Sequence, residues 1–261
     1  MGGASVTGGC GRLRVFDAHL HIVDPRFPLA ANQGYVPEPF TVADYRARAA
    51  GLRVVGGAVV SGSFQAFDQA YLVDALRRLG PGFVGVTQLP ATVGDERIRR
   101  LDAAGVRAVR LNLFRGGDGG IDDLARLGHR VAELAGWHAE LYVDARDLPE
   151  LAPWLGRLPQ LVVDHLGLSR EGLPALLDLV ERGARVKASG FSRGDLDVPA
   201  ALRSISAVNP EALMFGTDLP STRAPRPFAD ADVDVILDTL GDGLGGRVLH
   251  GNAAAFYLSR R

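Results

Sequence analysis

Short runs of apolar residues alternate with longer amphipathic segments along the whole chain. A run of about four to eight apolar residues predicts a buried strand, whereas apolar residues at helical spacing predict a helix with one buried face. Eight segments fit the first description. The predicted strands are residues 13–19, 54–61, 83–88, 106–111, 138–143, 161–164, 185–189 and 213–217.

A predicted helix follows each predicted strand. The first is capped by Thr41, has Asp44 three residues later as a weak capping box, and reaches Ala50. Another begins at Leu148 with Pro149 in its first turn. The other amphipathic segments are residues 67–79, 95–104, 122–134, 174–181, 199–208 and 232–240, with a final segment over 246–258.

This alternation predicts an α/β protein with the (β/α)8 TIM-barrel fold. Apolar strands interleaved with helices imply a parallel sheet covered by helices, and eight such units close a barrel more readily than they form an open sheet. The 261 residues match the length of about 250 that is typical of this fold. We therefore predict a flexible, glycine-rich leader over residues 1–11 and one barrel domain over residues 12–261.

Composition excludes several classes of partner. The 29 Lys and Arg residues nearly balance the 30 Asp and Glu residues, which argues against binding to nucleic acid or to an anionic membrane. No apolar run approaches the roughly 20 residues that cross a bilayer, and residues 1–11 lack the features of a signal peptide. Cys10 is the single cysteine. A cytoplasmic protein with a small-molecule substrate is the expectation, and a homo-oligomer is left open.

Ionisable residues stand at the ends of three predicted strands. His19 and His21 end the first strand, and residues two apart on a strand share a face. His165 follows the sixth strand and Asp218 follows the eighth. Barrel enzymes carry their chemistry where strands end. We therefore expect these four side chains to meet at one mouth of the barrel.

Each of these residues also has a structural interpretation. A lone histidine at a strand end is usually a hydrogen-bonded structural residue, and Asp218 alone could cap a turn. Two imidazoles at one strand end repel each other when protonated, so a pair favours function. The other histidines lie in a helix, at a strand start and in the final segment. We expect structural roles for His129, His138 and His250.

The strand-end motifs resemble those of the amidohydrolase superfamily. They are Asp-Ala-His-Leu-His on strand one, Asp-His-Leu-Gly on strand six and Gly-Thr-Asp-Leu-Pro on strand eight. More narrowly, the chain is similar to the 2-pyrone-4,6-dicarboxylate lactonase branch, a resemblance that covers nearly all residues after the leader. It includes Arg-Phe-Pro at 26–28, Val-Arg-Leu-Asn at 109–112 and Val-Lys-Ala-Ser-Gly at 186–190.

The resemblance implies an amidohydrolase-like barrel and roles for individual residues. Asp218 would be the general base that activates water. His19, His21 and His165 would surround the scissile carbonyl or hold a metal. Six further positions would contact a carboxylated substrate: Tyr35, Ser61, Arg110, Arg115, Tyr142 and Arg193. Guanidinium groups suit that task because they bind carboxylates bidentately. The alternative is that the arginines pair with nearby acids.

The sequence argues against a binuclear metal centre. Two-metal amidohydrolases need a bridging carboxylated lysine or acid on strand four and a histidine on strand five, whereas these strands end in Arg110-Leu111-Asn112 and Tyr142-Val143-Asp144. A mononuclear site for Zn²⁺ or Mn²⁺ stays open, with ligands from the four strand-end residues. The resembled branch points instead to an enzyme without metal.

One segment departs from the lactonase pattern. The branch tends to carry Trp-Pro-His after strand eight, but residues 219–222 here are Leu-Pro-Ser-Thr. Arg223 and Arg226 follow and could replace the missing imidazole. We therefore predict hydrolysis of a lactone that bears a carboxylate. The alternatives are a metal-dependent decarboxylase of the same superfamily, a hydrolase of another cyclic ester or amide, and a non-catalytic binding barrel.

Overall fold

A computed structural model describes residues 13–114 and 120–259. The predicted leader with Cys10, and the predicted substrate residue Arg115, lie outside the described residues. Eight parallel strands pair in chain order within one sheet. They are β1 (Arg14–Leu20), β2 (Arg53–Val60), β3 (Phe83–Thr87), β4 (Val106–Asn112), β5 (His138–Tyr142), β6 (Leu161–Val163), β7 (Arg185–Ala188) and β8 (Leu213–Phe215).

Helices alternate with the strands, as the sequence predicts. They are α1 (Val42–Arg48), α2 (Ala70–Leu79), α3 (Asp95–Ala103), α4 (Ile121–Ala135), α5 (Leu148–Leu155), α6 (Leu173–Glu181), α7 (Val198–Val208), α8 (Ala231–Gly246) and α9 (Asn252–Leu258). The capping box of α1 forms, with Thr41 and Asp44 bonding each other's backbone N–H groups. The TIM-barrel prediction is confirmed. Helix α2 begins at Ala70, three residues later than predicted.

Apolar side chains fill two layers. The larger one lies between the strands and the outer helices and includes Leu72 and Ile98. The smaller one lies inside the barrel, toward the end at which the strands begin, where small and branched residues of several strands contact α9. The rings of Phe16 and Tyr257 stack there with centroids 5.6 Å apart. Helix α9 therefore closes the end of the barrel at which the strands begin, and functional groups are confined to the opposite end.

Hydrogen bonds close the seam between β1 and β8. The backbone N–H and hydroxyl of Thr217 donate to the two carboxylate oxygens of Asp17 at 2.8 and 2.7 Å. The Asp218 N–H donates to the His19 carbonyl at 2.6 Å, and the His21 N–H donates to the Leu219 carbonyl at 2.7 Å. These bonds fix the end of β8 against the histidine pair on β1.

Strands β6 and β8 end earlier than predicted. They stop at Val163 and Phe215, rather than at residues 164 and 217. His165 and Asp218 take positive φ values of 53° and 59°. Among the described residues, no helix is long and apolar enough to cross a membrane.

Candidate active site

The structure brings His19, His21, His165 and Asp218 together at the mouth of the barrel. All four are at most 4% exposed. The Nε2 atoms of His19 and His21 are 3.3 Å apart. Asp218 Oδ1 lies 3.8, 3.6 and 4.0 Å from the Nε2 atoms of His19, His21 and His165. Three imidazoles thus face one carboxylate oxygen.

Hydrogen bonds on the far side of two rings set their orientation. The Nδ1 atom of His21 lies 2.7 Å from the Val60 carbonyl on β2. A carbonyl only accepts, so His21 carries its proton on Nδ1 and presents a lone pair on Nε2. The Nδ1 atom of His165 lies 3.0 Å from the Ser189 hydroxyl after β7. The Nε2 atoms of both rings therefore face the centre.

The backbone at the mouth is held in unfavourable conformations. Positive φ values occur at His165, Leu166 and Asp218, and also at Ser221 and Arg223 in the loop after β8. Such conformations cost of order 1–3 kcal/mol each and cluster at functional sites, where surrounding structure enforces them. Here the enforced turns aim the imidazole of His165 and the carboxylate of Asp218 inward.

Two glycines allow the close approach of these groups. A Cβ atom at Gly216 would lie 2.7 Å from the Cβ atom of His19 and 2.8 Å from its backbone nitrogen. A Cβ atom at Gly190, where φ is 58°, would lie 2.7 Å from Nδ1 of His165 and 2.8 Å from Cδ of Arg193. The absence of side chains at both positions is therefore part of the site's geometry.

Asp218 forms a buried ion pair with Arg193. The Nε atom of Arg193 donates to Asp218 Oδ2 at 2.6 Å, and its terminal nitrogen donates to the Thr222 carbonyl at 2.9 Å. Burial alone would raise the pKa of Asp218, but Arg193 and the nearby imidazoles outweigh it and lower that pKa. Asp218 is therefore ionised at neutral pH. Its other oxygen, Oδ1, is buried and makes no hydrogen bond within the described part of the chain.

His19 and His165 are neutral at physiological pH. Burial, with positive groups nearby, lowers the pKa of His19 well below its ordinary value, although Asp164 opposes that effect. Burial likewise lowers the pKa of His165 to about 3, against the opposing effect of Asp218. Neutral imidazoles have both a donor and an acceptor nitrogen. These two rings can therefore donate hydrogen bonds or ligate a cation at physiological pH.

A cleft open to solvent lies above His21 and His165. Four of the predicted substrate residues line it: Tyr35, Arg110, Tyr142 and Arg193. Ser61 is buried, and its hydroxyl lies 2.6 Å from the Tyr71 hydroxyl. Its substrate contact stays a prediction, as does that of Arg115.

The cleft arginines are held by the protein itself. Arg110 donates twice to Asp164 Oδ2, at 3.0 and 2.9 Å, and once to the Ser61 carbonyl at 3.0 Å. Its guanidinium carbon lies 5.1 Å from the centre of the Tyr142 ring. Pairing with nearby acids, the alternative weighed from the sequence, thus occurs for Arg110 and Arg193 while both still line the cleft.

The two arginines after β8 differ in position. Arg223 lines the cleft, lies 4.4 Å from the centre of the Tyr35 ring and donates to the Asn32 side chain at 3.1 Å. Arg226 instead pairs with Asp232 at 2.7 Å, outside the cleft. Arg223, but not Arg226, is thus placed to make the substrate contact for which segment 219–222 has no imidazole.

Sequence reasoning missed a charged group beneath His19. Lys187 and Glu140 are fully buried and in contact with each other. Asp164, a residue of the strand-six motif, is equally buried. Lys187 Nζ lies 3.2 Å from His19 Nδ1 and 3.3 Å from Asp164 Oδ1. A signal was present: Glu140 and Lys187 each interrupt an apolar strand two residues before a mouth residue, and thus on the same face.

The donor atoms could hold a metal ion in two overlapping groups. The first is His19, His21 and Asp218, and the second is His19, Asp164 and His165. The atoms within each group lie within 4.8 Å of one another. His138, expected to be structural, is buried and 3.0 Å from Glu140. It lies at the start of β5, far from the strand ends that carry these donors.

Comparison with known proteins finds similar proteins among the lactone hydrolases. Over 156 residues it is 34% identical to a 2-pyrone-4,6-dicarboxylate hydrolase of Comamonas testosteroni, covering 58% of this chain and 51% of that protein. The chain thus matches about half the length of this relative. Over 226 residues it is 26% identical to a 4-sulfomuconolactone hydrolase of Rhizobium radiobacter, covering 78% and 75%.

Structural comparison agrees. A candidate 2-pyrone-4,6-dicarboxylic acid hydrolase of Pseudomonas putida superposes with a TM-score of 0.77 and 26% identity, over 96% of this chain and 99% of that chain. The family model described as amidohydrolase matches residues 16–258. The resemblance inferred from the strand-end motifs is confirmed, and the chain belongs to the amidohydrolase family.

Proposed function

We propose that this enzyme hydrolyses the ester bond of a lactone that carries a carboxylate. One observation supports the proposal most directly. Asp218 Oδ1 is a buried, ionised oxygen without a hydrogen-bond partner among the described residues, and it faces three imidazoles beside a cleft lined by arginines. A carboxylate held in this way is suited to accept a proton from water.

The two oxygens of Asp218 have different roles because only one of them binds Arg193. Its contact with Oδ2 orients the carboxylate and keeps it ionised, so that Oδ1 is the oxygen available to water. As water attacks the lactone carbonyl, one of its protons passes to Asp218. The ring C–O bond then breaks, and the leaving alkoxide takes a proton back. The products are a hydroxyl group and a carboxylic acid, which releases its proton to the solvent to become a carboxylate.

The imidazoles and guanidiniums stabilise the charge that develops on the carbonyl oxygen. Donors fixed in a buried site act without reorganisation, and a single such donor is typically worth about 3–4 kcal/mol in the transition state. The neutral rings of His19 and His165 can each donate one N–H. Because the site is pre-formed by the turns after β6 and β8, these groups are in place before the substrate arrives.

Cationic side chains favour an anionic substrate. Arg110 and Arg193 line the cleft with their own carboxylate partners, and Arg223 extends across it from the loop after β8 to the Tyr35 ring. The names of the two relatives describe hydrolases of a dicarboxylate pyrone and of a sulfonated lactone. Since Arg223 follows the segment that departs from the lactonase pattern, we expect this chain to act on a different carboxylated lactone.

The same centre suits one divalent ion. Three imidazole nitrogens and a carboxylate form a donor set that Zn²⁺ or Mn²⁺ accepts, and an unpartnered buried oxygen such as Asp218 Oδ1 is a favourable ligand. Such an ion would polarise the carbonyl and acidify water. His19, His21 and Asp218, whose donor atoms lie within 4.8 Å of one another, would hold it, with His165 Nε2, 4.0 Å from Asp218 Oδ1, as a fourth donor. This donor set also keeps the metal-dependent decarboxylase as the second candidate.

A substrate panel tests the proposal. Carboxylated lactones would be assayed beside their methyl esters, each with chelator, with added Zn²⁺ and with added Mn²⁺. We expect hydrolysis of the free acids and much slower hydrolysis of the esters, because only the acids engage the arginines. Equal turnover of acids and esters would contradict the carboxylate specificity. Release of CO₂ from aromatic or enoic acids without lactone opening would favour the decarboxylase.

Partner and location follow as further proposals. A small-molecule substrate is in keeping with the amidohydrolase family to which the chain belongs. A cytoplasmic location stays a prediction, as does a homo-oligomer. Fractionation of cells and the mass of the purified protein in solution would test them.

A further inference from the structure

A buried cluster of charges lies directly beneath the candidate active site, outside the mechanism described above. It consists of Lys187 on β7, Glu140 on β5 and Asp164 after β6, all fully inaccessible to solvent. Buried charges are expensive unless they are paired and hydrogen-bonded, so a fold that keeps three of them needs a reason for doing so.

The acceptors around Lys187 are few. Its ammonium group carries three N–H donors. The atoms in reach are Glu140 Oε2, His19 Nδ1 at 3.2 Å and Asp164 Oδ1 at 3.3 Å. Lys187 thus donates to Glu140 Oε2 and to His19 Nδ1, provided that the Nδ1 atom of His19 carries no proton, and its contact with Asp164 Oδ1 is an ion pair without a hydrogen bond.

The other oxygens of the two acids are already engaged. Glu140 Oε1 contacts His138 Nε2 at 3.0 Å and accepts from the Tyr257 hydroxyl. Asp164 Oδ2 accepts two bonds from Arg110. Lys187 therefore cannot replace its contact with His19 by turning to a second oxygen of either acid.

We infer that Lys187 is a positioning residue that holds His19 with its proton on Nε2. Its ammonium group supplies the positive charge that a metal ion bound deeper in the barrel would otherwise supply. The inference deepens the proposed function, because it makes the His19 N–H a donor at the mouth. The hydrogen bonds form one chain. Lys187 donates to His19 Nδ1, His19 Nε2–H donates to His21 Nε2 at 3.3 Å, and His21 Nδ1–H donates to the Val60 carbonyl.

The opposite tautomer conflicts with this geometry twice. A proton on His19 Nδ1 would face the ammonium group of Lys187 at 3.2 Å, although Asp164 Oδ1 at 3.3 Å could accept it. The unprotonated Nε2 of His19 would then face the lone pair of His21 Nε2 at 3.3 Å. Only a cation between those two nitrogens would relieve the second conflict. Lys187 thus disfavours metal binding at His19, because an ion must first displace the proton that the ammonium group keeps on Nε2.

A spectroscopic measurement on the unaltered protein tests the inference. Two-bond ¹H–¹⁵N spectra of the metal-free, ¹⁵N-histidine-labelled protein distinguish the tautomers, with His19→Gln and His21→Gln used for assignment. We expect the proton of His19 on Nε2 and that of His21 on Nδ1. A His19 ring protonated on Nδ1 would overturn the inference. No lactone turnover enters this result, so it stands apart from the test of the proposed function.

Zinc affinity gives a second readout. Lys187→Met removes the donors and leaves Asp164 Oδ1, 3.3 Å from His19 Nδ1, as the partner of that nitrogen. Mutation of a residue that supports a metal ligand typically lowers metal affinity by about 10–100-fold. Because Lys187 opposes the ion instead of supporting its ligand, we expect a gain of comparable size in competition with a chromophoric chelator. The double variant Lys187→Met/Glu140→Met removes both charges and serves if the single variant does not fold. Unchanged zinc affinity in a folded variant would contradict the inference, whatever the tautomer.

Discussion

The buried ion pair between Arg193 and Asp218 predicts a measurable loss of stability when Arg193 is replaced. Arg193→Met keeps the length and apolar stem of the side chain but removes the charge that faces Asp218 at 2.6 Å. The two side chains are 7% and 1% exposed, so solvent cannot replace the lost partner. Removing one member of a buried pair typically costs about 3–5 kcal/mol. We expect the low end, because the imidazoles around Asp218 remain.

That loss is measurable by thermal unfolding. At about 2–4 °C per kcal/mol for a chain of this size, a loss of about 3 kcal/mol lowers Tm by about 6–12 °C at neutral pH. The matched control is Arg226→Met, which breaks a pair with Asp232 in which the arginine is 45% exposed. Exposed pairs contribute about 0–1 kcal/mol, so the control should unfold close to the wild type.

The pH dependence has a definite sign. The lowered pKa of Asp218 stabilises the wild type above the pKa of the unfolded carboxyl, and this contribution is lost as pH falls through the folded pKa. In the variant, burial is unopposed by Arg193 and raises the pKa of Asp218. The stability gap between the two proteins should therefore shrink in acid, and the acid limb of kcat/KM should move to higher pH. An unchanged acid limb together with an unchanged Tm would refute the reasoning.

Two further changes test the supports of the site. Gly216→Ala places a methyl group 2.7 Å from the Cβ atom of His19, so we expect a loss of about 1–3 kcal/mol and of turnover. The control Gly243→Ala, in α8 and with no atom within 4 Å, should leave kcat unchanged and raise stability by up to about 1 kcal/mol. Asp144 has a pKa lowered to about 2, because bonds from Arg146 and Ser169 outweigh burial. Asp144→Asn should therefore cost up to about 2 kcal/mol above about pH 4 and progressively less toward pH 2, as urea unfolding at several pH values would show.

Much of the fold was predictable because the strands and helices of a parallel barrel each have a characteristic local pattern of apolar residues. Each strand is buried on both faces and reads as an apolar run, and each helix has one apolar side. The ends of elements were less certain. Strand β8 stops at Phe215 because Asp17, a residue 200 positions away from Thr217, holds the backbone beyond it. No local pattern encodes such a contact.

Site residues could be predicted where they lie both at the end of a strand and within a motif that resembles a known family. His19, His21, His165 and Asp218 satisfy both conditions, and the structure brings them together. Lys187 and Glu140 carry no strand-end signal, and their importance depends on a three-dimensional contact across the barrel interior. Reading inward-facing charges along each strand would have identified both as candidates, although not their link to His19.

The most direct test of the account is the turnover of Asp218→Asn on the carboxylated lactone that the wild type hydrolyses. The amide keeps the shape of the side chain but cannot take a proton from water. General-base catalysis is worth about 100- to 10,000-fold, so we predict a loss of kcat in that range in a protein that still folds and still binds the substrate. Hydrolysis by Asp218→Asn at the wild-type rate would contradict the account.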